Sequence, residues 1–349
     1  MLKVIKRAEV SSKQAILQKT IAIICALLAV CVIIACIGYN PFEIFYRLIE
    51  GSIFSTYRLQ ETLIITIPLV VLSLGVAIAF KMRFWNIGGE GQFYMGAFAA
   101  TFIALNFSSL PKPIVLILMF IAAIIAGGIW SAFPAFLKAK LGTNETLVTL
   151  MLNYVAIKWV TYLQNGPWRD PNGSGFPRIA RFEDSAVLPD LFGVHIGWII
   201  ALVLVVLVHI LLNKTKLGYE MAVVGENEQT ARYAGMNVAK ILVVAVFFSG
   251  ALCGVAGMMQ ASAVENSLSS QLSAGLGYTA IITCWLARLK PATIVIVSFL
   301  FAMLVQGGTY LQSSMQVPSA VASIIQAVIL FFVLGSEFFT QYKIVRKHQ

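Results

Sequence analysis

Residues 84–107 read FWNIGGEGQFYMGAFAATFIALNF, and the fold turns on how this stretch is understood. Its later part has the apolar composition of a membrane helix, yet Asn86, Glu90 and Gln92 stand at its head among Gly88, Gly89 and Gly91. Only about 15 apolar residues follow, fewer than the roughly 20 that carry a full helix across a bilayer. A broken helix is tolerated in a membrane where its freed backbone groups line a cavity or are buried in protein. Glu90 sits at the break with no cation beside it in sequence. A carboxylate there reads either as a functional group or as a helix cap.

The rest of the chain supplies the membrane. Of its 349 residues, 59% are hydrophobic and only 11% charged, against about 25% charged in a soluble domain, so there are too few charges for a water-facing surface. Ten apolar runs fall near 20–38, 61–80, 92–107, 113–137, 146–163, 194–212, 241–261, 274–287, 291–312 and 318–336. The first follows a basic segment and reads as an uncleaved span rather than a signal peptide. With the N-terminus inside, 18 of the 25 Lys and Arg residues lie in internal segments and six outside, with Lys158 within a span. That asymmetry places both termini in the cytoplasm. It also explains the net charge of +10 better than nucleic-acid binding does. The expected fold is an all-α polytopic membrane protein of about ten transmembrane helices, one transmembrane domain over 1–349.

A division after the fifth span gives a first half, 1–163, and a second half, 194–349, joined by an external loop, 164–193, rich in Pro and Gly. Because the halves start on opposite sides, two five-helix sets would be inverted repeats. The third span of each is short and glycine-interrupted: 84–107, and 274–287 opening on Ala274-Gly275-Leu276-Gly277. Such a matched pair points to a transporter's substrate path. Polar stripes accompany it: Thr146, Thr149, Asn153 and Thr161; Ser298, Gln306, Thr309 and Ser313; Ser319, Ser323 and Gln326. For Asn153 and Gln306, solute contact and inter-helix bonding stand equal. Gly250, Gly254 and Gly257 make a helix-packing face.

Catalytic and metal chemistry have little to work with. The five cysteines form no C-x-x-C, the three histidines are scattered, and no phosphate-loop or H-E-x-x-H motif is present. The long internal loop, 213–240, carries the remaining signal. Asn227 can cap a short helix from Glu228 to Ala234, ended by Gly235, with the small residues Ala231 and Ala234 on it.

Three stretches together resemble the ABC importer permeases of the branched-chain amino acid and simple-sugar class, nucleoside branch. They are Asn86-Ile87-Gly88-Gly89-Glu90-Gly91-Gln92, then Thr143-Asn144-Glu145 through Met151-Leu152-Asn153-Tyr154, then Gly225-Glu226-Asn227 through Ala231-Arg232-Tyr233-Ala234-Gly235. Gly277-Tyr278-Thr279-Ala280-Ile281 and Leu286-Ala287-Arg288-Leu289-Lys290-Pro291 resemble a later span and turn of that family. The family more often has Ala at Gly89 and Gly at Ala287. The resemblance implies a non-catalytic translocation subunit in the bacterial cytoplasmic membrane. Its partners would be an ATP-binding subunit, which holds ATP and Mg, a second and different permease, and an extracytoplasmic solute-binding protein. This chain itself would bind no cofactor. Asn86, Glu90, Gln92, Asn153, Tyr154 and Gln306 are the expected path residues. Gly225, Glu226, Asn227, Glu228, Ala231, Arg232 and Gly235 are the expected coupling residues. Nucleosides lead as solute, followed by pentoses or hexoses and then riboflavin-like compounds. An ion-coupled secondary transporter is the alternative, disfavoured by the scarcity of carboxylates within the spans.

Overall fold

The computed structural model describes residues 2–6, 12–171, 173 and 175–346. Arg7, Lys347 and His348, and the side chains of Ser319 and Gln326, lie outside the described residues. Thirteen α-helices are described: α1 (Ser12–Ile37), α2 (Pro41–Ile53), α3 (Thr56–Lys81), α4 (Gly89–Asn106), α5 (Lys112–Leu141), α6 (Glu145–Asn165), α7 (Gly197–Lys214), α8 (Lys216–Glu226), α9 (Glu228–Tyr233), α10 (Val238–Gln260), α11 (Leu276–Leu286), α12 (Pro291–Met315) and α13 (Ser319–Gln341). Each of the ten expected apolar runs coincides with one of them. Seven, in α1, α3, α5, α6, α7, α10 and α12, are long and apolar enough to cross a membrane among the described residues. Helix α11 has 11 residues, and α4 begins at Gly89, within the glycine-rich stretch.

The chain divides into two compact units, Met1–Thr62 with Phe301–Gln349, and Leu63–Leu300. In the first, Val30, Ile34, Ile44, Leu48, Leu311, Val321 and Ile325 form the buried core. Helix α2 belongs here and was not anticipated. Its start was nonetheless written in the sequence: Asn40 Oδ1 accepts the Phe42 N–H at 3.1 Å, and Pro41 occupies the first helical position. Strands β1 (Leu2–Lys6) and β4 (Tyr342–Arg346) pair antiparallel.

In the second unit α4, α5 and α10 pack most closely, and glycine makes this possible. A Cβ on Gly96 would lie 2.2 Å from Gly254 Cα, and one on Gly254 would lie 2.3 Å from the Ala123 carbonyl oxygen. Helix backbones therefore touch directly, as the small-residue face of α10 predicts. Asn144 caps α6 by accepting from Thr146 and Leu147 N–H, and Gly142 (φ +65°) ends α5. Glu145 stands in the first turn of α6, where it complements the helix dipole, and pairs with Lys138 of α5.

The segment 164–193 holds a 3₁₀ turn, Asp184–Ala186, and β2 (Asp190–Leu191), which pairs with β3 (Val194–His195) just beyond it. Helix α7 starts after it, at Gly197, three residues later than the apolar run suggests. His195 is 2% exposed, and neither ring nitrogen has a hydrogen-bond partner among the described residues. Burial lowers its pKa to about 4, against a smaller opposing pull from Asp190. Because the folded protein holds this ring neutral, protonation favours the unfolded chain as pH falls from the ordinary 6.5 through about 4. At about 1.4 kcal/mol per pKa unit, up to roughly 3 kcal/mol of stability is lost across that window. Thermal unfolding in detergent between pH 7 and 4 should show this loss, and His195→Leu should flatten it; an equally steep profile in the variant would assign the effect elsewhere.

Candidate functional site

Four of the predicted path residues, Asn86, Glu90, Gln92 and Asn153, converge on the start of α4. Helix α3 closes through Met82, Arg83 and Phe84 N–H bonds back to Ala79 and Phe80, with Arg83 in the left-handed region at φ +55°. This reversal aims residues 85–88 back into the protein. There Asn86 and Gln92 exchange amide bonds: Gln92 Nε2 donates to Asn86 Oδ1 at 2.9 Å, and Asn86 Nδ2 donates to Gln92 Oε1 at 3.2 Å. Asn86 Nδ2 also donates to Ser249 Oγ of α10 at 3.1 Å, and Asn86 Oδ1 accepts the Gly88 N–H at 3.0 Å.

Asn153, projecting from α6, completes the break. Its Oδ1 accepts the Gly91 N–H at 2.8 Å, while Nδ2 donates to the Ile87 carbonyl at 2.9 Å and to the Tyr278 hydroxyl at 3.3 Å. One side-chain amide thus satisfies a donor and an acceptor that the interrupted helix leaves free. Thr149, one turn earlier, accepts the Ile87 N–H at 3.3 Å. Gly91 is required at this contact, since a Cβ there would lie 2.8 Å from Asn153 Oδ1.

Glu90 joins the two broken helices. Its Oε2 accepts the Gly277 N–H at 2.9 Å, so a carboxylate on the first turn of α4 meets the first turn of α11. The start of α11 presents unpaired N–H groups, and the Glu90 carboxyl accepts one of them. The approach is backbone-close: a Cβ on Gly277 would lie 2.5 Å from Glu90 N. Tyr94 adds a tie to the segment before α11, donating to the Ser270 carbonyl at 2.8 Å and accepting the Ser273 N–H at 3.3 Å.

Asn86, Glu90, Gln92 and Asn153 are therefore all buried and bonded to protein. Tyr154 is different: it is 55% exposed on the opposite side of α6. Gln306 belongs to the first unit, half-buried on α12. Ser249 and Tyr278 are partners that sequence reasoning missed. They lie 163 and 125 residues from the side chains they bind, and no local periodicity links them.

Of the expected coupling residues, Asn227 Oδ1 caps α9 by accepting from Gln229 and Thr230 N–H, and Gly235 (φ +76°) follows its end. This is the short helix expected from 228 to 234, one residue shorter. Arg232 pairs with Glu228 along its surface. Ala231 is fully buried and turned into this chain, whereas Tyr233 is 93% exposed. Outward contact from α9 thus falls to Glu228, Gln229, Arg232 and Tyr233, which surround one shallow surface depression. A bulky substitution at Ala231 would act first on this chain's own packing. Gly225, at the end of α8, is seated on α3: a Cβ there would lie 2.2 Å from the Lys81 carbonyl oxygen.

Residues 58–334 match the family described as branched-chain amino acid transport system / permease component. A glucose ABC transporter permease protein of Haloferax volcanii is 33% identical over 90% of this chain and 85% of its own length. A guanosine ABC transporter permease protein of Bacillus subtilis (strain 168) is 31% identical over 90% of this chain and 92% of its own. A nucleoside ABC transporter permease protein of Lactococcus lactis subsp. cremoris is 28% identical over 91% and 90%.

Proposed function

Because the chain belongs to the branched-chain amino acid transport system permease family, we propose that it forms half of the path by which an ATP-driven importer takes up nucleosides, with simple sugars as the second choice. As a permease subunit it is non-catalytic and embedded in a membrane, and this family works with an ATP-binding subunit and a solute-binding protein. The solute preference is supported by the guanosine and nucleoside permeases among its relatives, and the sugar reading by the glucose permease. The reading includes ten spans in two inverted halves, both termini in the cytoplasm of a bacterium, and a second, different permease across the path. ATP and Mg belong to the ATPase, which docks on the outer surface of α9.

The observation that carries the path is the division of α6 into two faces. Thr149, Asn153, Ala156, Val160 and Leu163 are buried against this chain. Leu147, Met151, Tyr154, Lys158 and Tyr162 form an exposed stripe at helical spacing. A lysine and two tyrosines on the outward side of a span are costly against lipid tails and suit a wet path shared with another subunit. In this arrangement Tyr154 meets the solute, while Asn86, Glu90, Gln92 and Asn153 hold the wall behind it.

Base–aromatic stacking is worth about 1–3 kcal/mol. Tyr154→Ala should therefore cut ATP-dependent guanosine uptake roughly five- to a hundredfold in proteoliposomes holding both permeases, ATPase and binding protein. Assembly and basal ATP hydrolysis should be unchanged. Wild-type-like uptake by the variant would remove Tyr154 from the path. Uptake of glucose but not guanosine by the unaltered transporter would select the sugar reading.

A further inference from the structure

An apolar groove of about 870 Å³ runs between α5, α7 and α10, with Phe120, Ile124, Val203, Leu207, Phe248 and Leu252 among its walls and no polar residue lining it. Its wall on α7 runs from Ile199 to Leu211, roughly 18 Å at 1.5 Å per residue. That length and the wholly apolar lining suit extended hydrocarbon.

Its two ends differ in charge. Lys81 follows the lining residue Ile78 by one turn of α3, and Lys214 follows Leu211 by one turn of α7. Neither lysine is in an ion pair among the described residues. At the opposite end Pro189 is followed by Asp190, and Glu183 and Asp184 precede it, against Lys112 at the start of α5 and Arg181 ahead of Glu183. We propose that this groove is a binding site for an anionic phospholipid, its acyl chains lying along α7 and its headgroup at Lys81 and Lys214.

The two halves of the site make separable contributions. Hydrocarbon burial holds any phospholipid, while unpaired ammonium groups near a membrane surface each favour an anionic headgroup. The test is native mass spectrometry of the complete transporter released from nanodiscs of equal phosphatidylglycerol and phosphatidylcholine. One phosphatidylglycerol should remain per copy of this chain, in at least fivefold excess over phosphatidylcholine. Leu207→Trp, which places a ring in the groove from a position already exposed, should lower total retained lipid at least fivefold. Lys81→Gln with Lys214→Gln should abolish the preference while leaving phosphatidylcholine retention unchanged, which separates headgroup recognition from any folding defect. Equal retention of the two lipids by the unaltered chain, retention indifferent to Leu207→Trp, or a photo-crosslinker at 207 that joins this chain to another subunit would each overturn the proposal.

Discussion

Asn153→Leu should cost the transporter both stability and uptake, and the two losses should arrive together. The substitution keeps size and shape but removes an acceptor from the Gly91 N–H and a donor from the Ile87 carbonyl and the Tyr278 hydroxyl. Two backbone groups at a helix break are then left without partners. Each buried unsatisfied group costs about 1–3 kcal/mol in soluble proteins. Inter-helix bonds in membranes average about 0.6 kcal/mol, because the chain dispersed in lipid also finds partners. The backbone orphans should dominate here, since the break supplies no substitute, giving roughly 2–4 kcal/mol in total. Uptake should fall at least tenfold, and the thermal midpoint of the purified subunit should drop with it. A residue that only touched solute would lower uptake at an unchanged midpoint. That second pattern would place Asn153 on the path surface and refute its role as a clamp.

Gly254→Leu should have the larger effect on the fold itself. The Gly254 Cβ position is already 2.3 Å from a backbone oxygen of α5, and Gly96 of α4 packs on the Gly254 Cα from another side. A side chain there drives three helices apart and cannot be absorbed by a rotamer change, because the obstructing atoms are backbone. Overpacking typically costs about 1–3 kcal/mol and more where nothing yields. The expected result is little or no folded protein in the membrane fraction, with Gly335→Ala, inside α13 with open space around it, near wild type. Normal accumulation of Gly254→Leu would mean that α4, α5 and α10 do not approach as closely as described.

Much of this was legible in the sequence, and the reason is physical. Apolar runs announce membrane helices without reference to anything distant, and Asn227 and Gly235 bound α9 through bonds to residues two or three places away. The glycines around Glu90 marked the break correctly for the same reason. What those polar side chains do was not legible, because it depends on pairs such as Glu90 with Gly277, 187 residues apart. The sequence left Glu90 open between cap and functional group, and its bond to Gly277 joins it to the start of α11. Ala231 shows the opposite failure. Its small size fitted a close contact, but sequence could not say with whom, and the contact is with its own chain. Helix α2 was passed over because an amphipathic segment of 13 residues is too short to be sought as a span, although Asn40-Pro41 marks its start.

The seat of Gly225 on the Lys81 carbonyl carries a mechanical meaning. Side chains are springs: they change rotamer and absorb small displacements before passing anything on. Here there is none, and α8 rests on α3 as one stiff rod against another. Lys81 is the last residue of its helix, directly ahead of the reversal that delivers Asn86 to the mouth of α4. A small displacement at the loop's surface would therefore reach the head of α4 through backbone contact, and a displacement there would return the same way. A methyl group at position 225 would change the rest position of that linkage without touching any residue at either end.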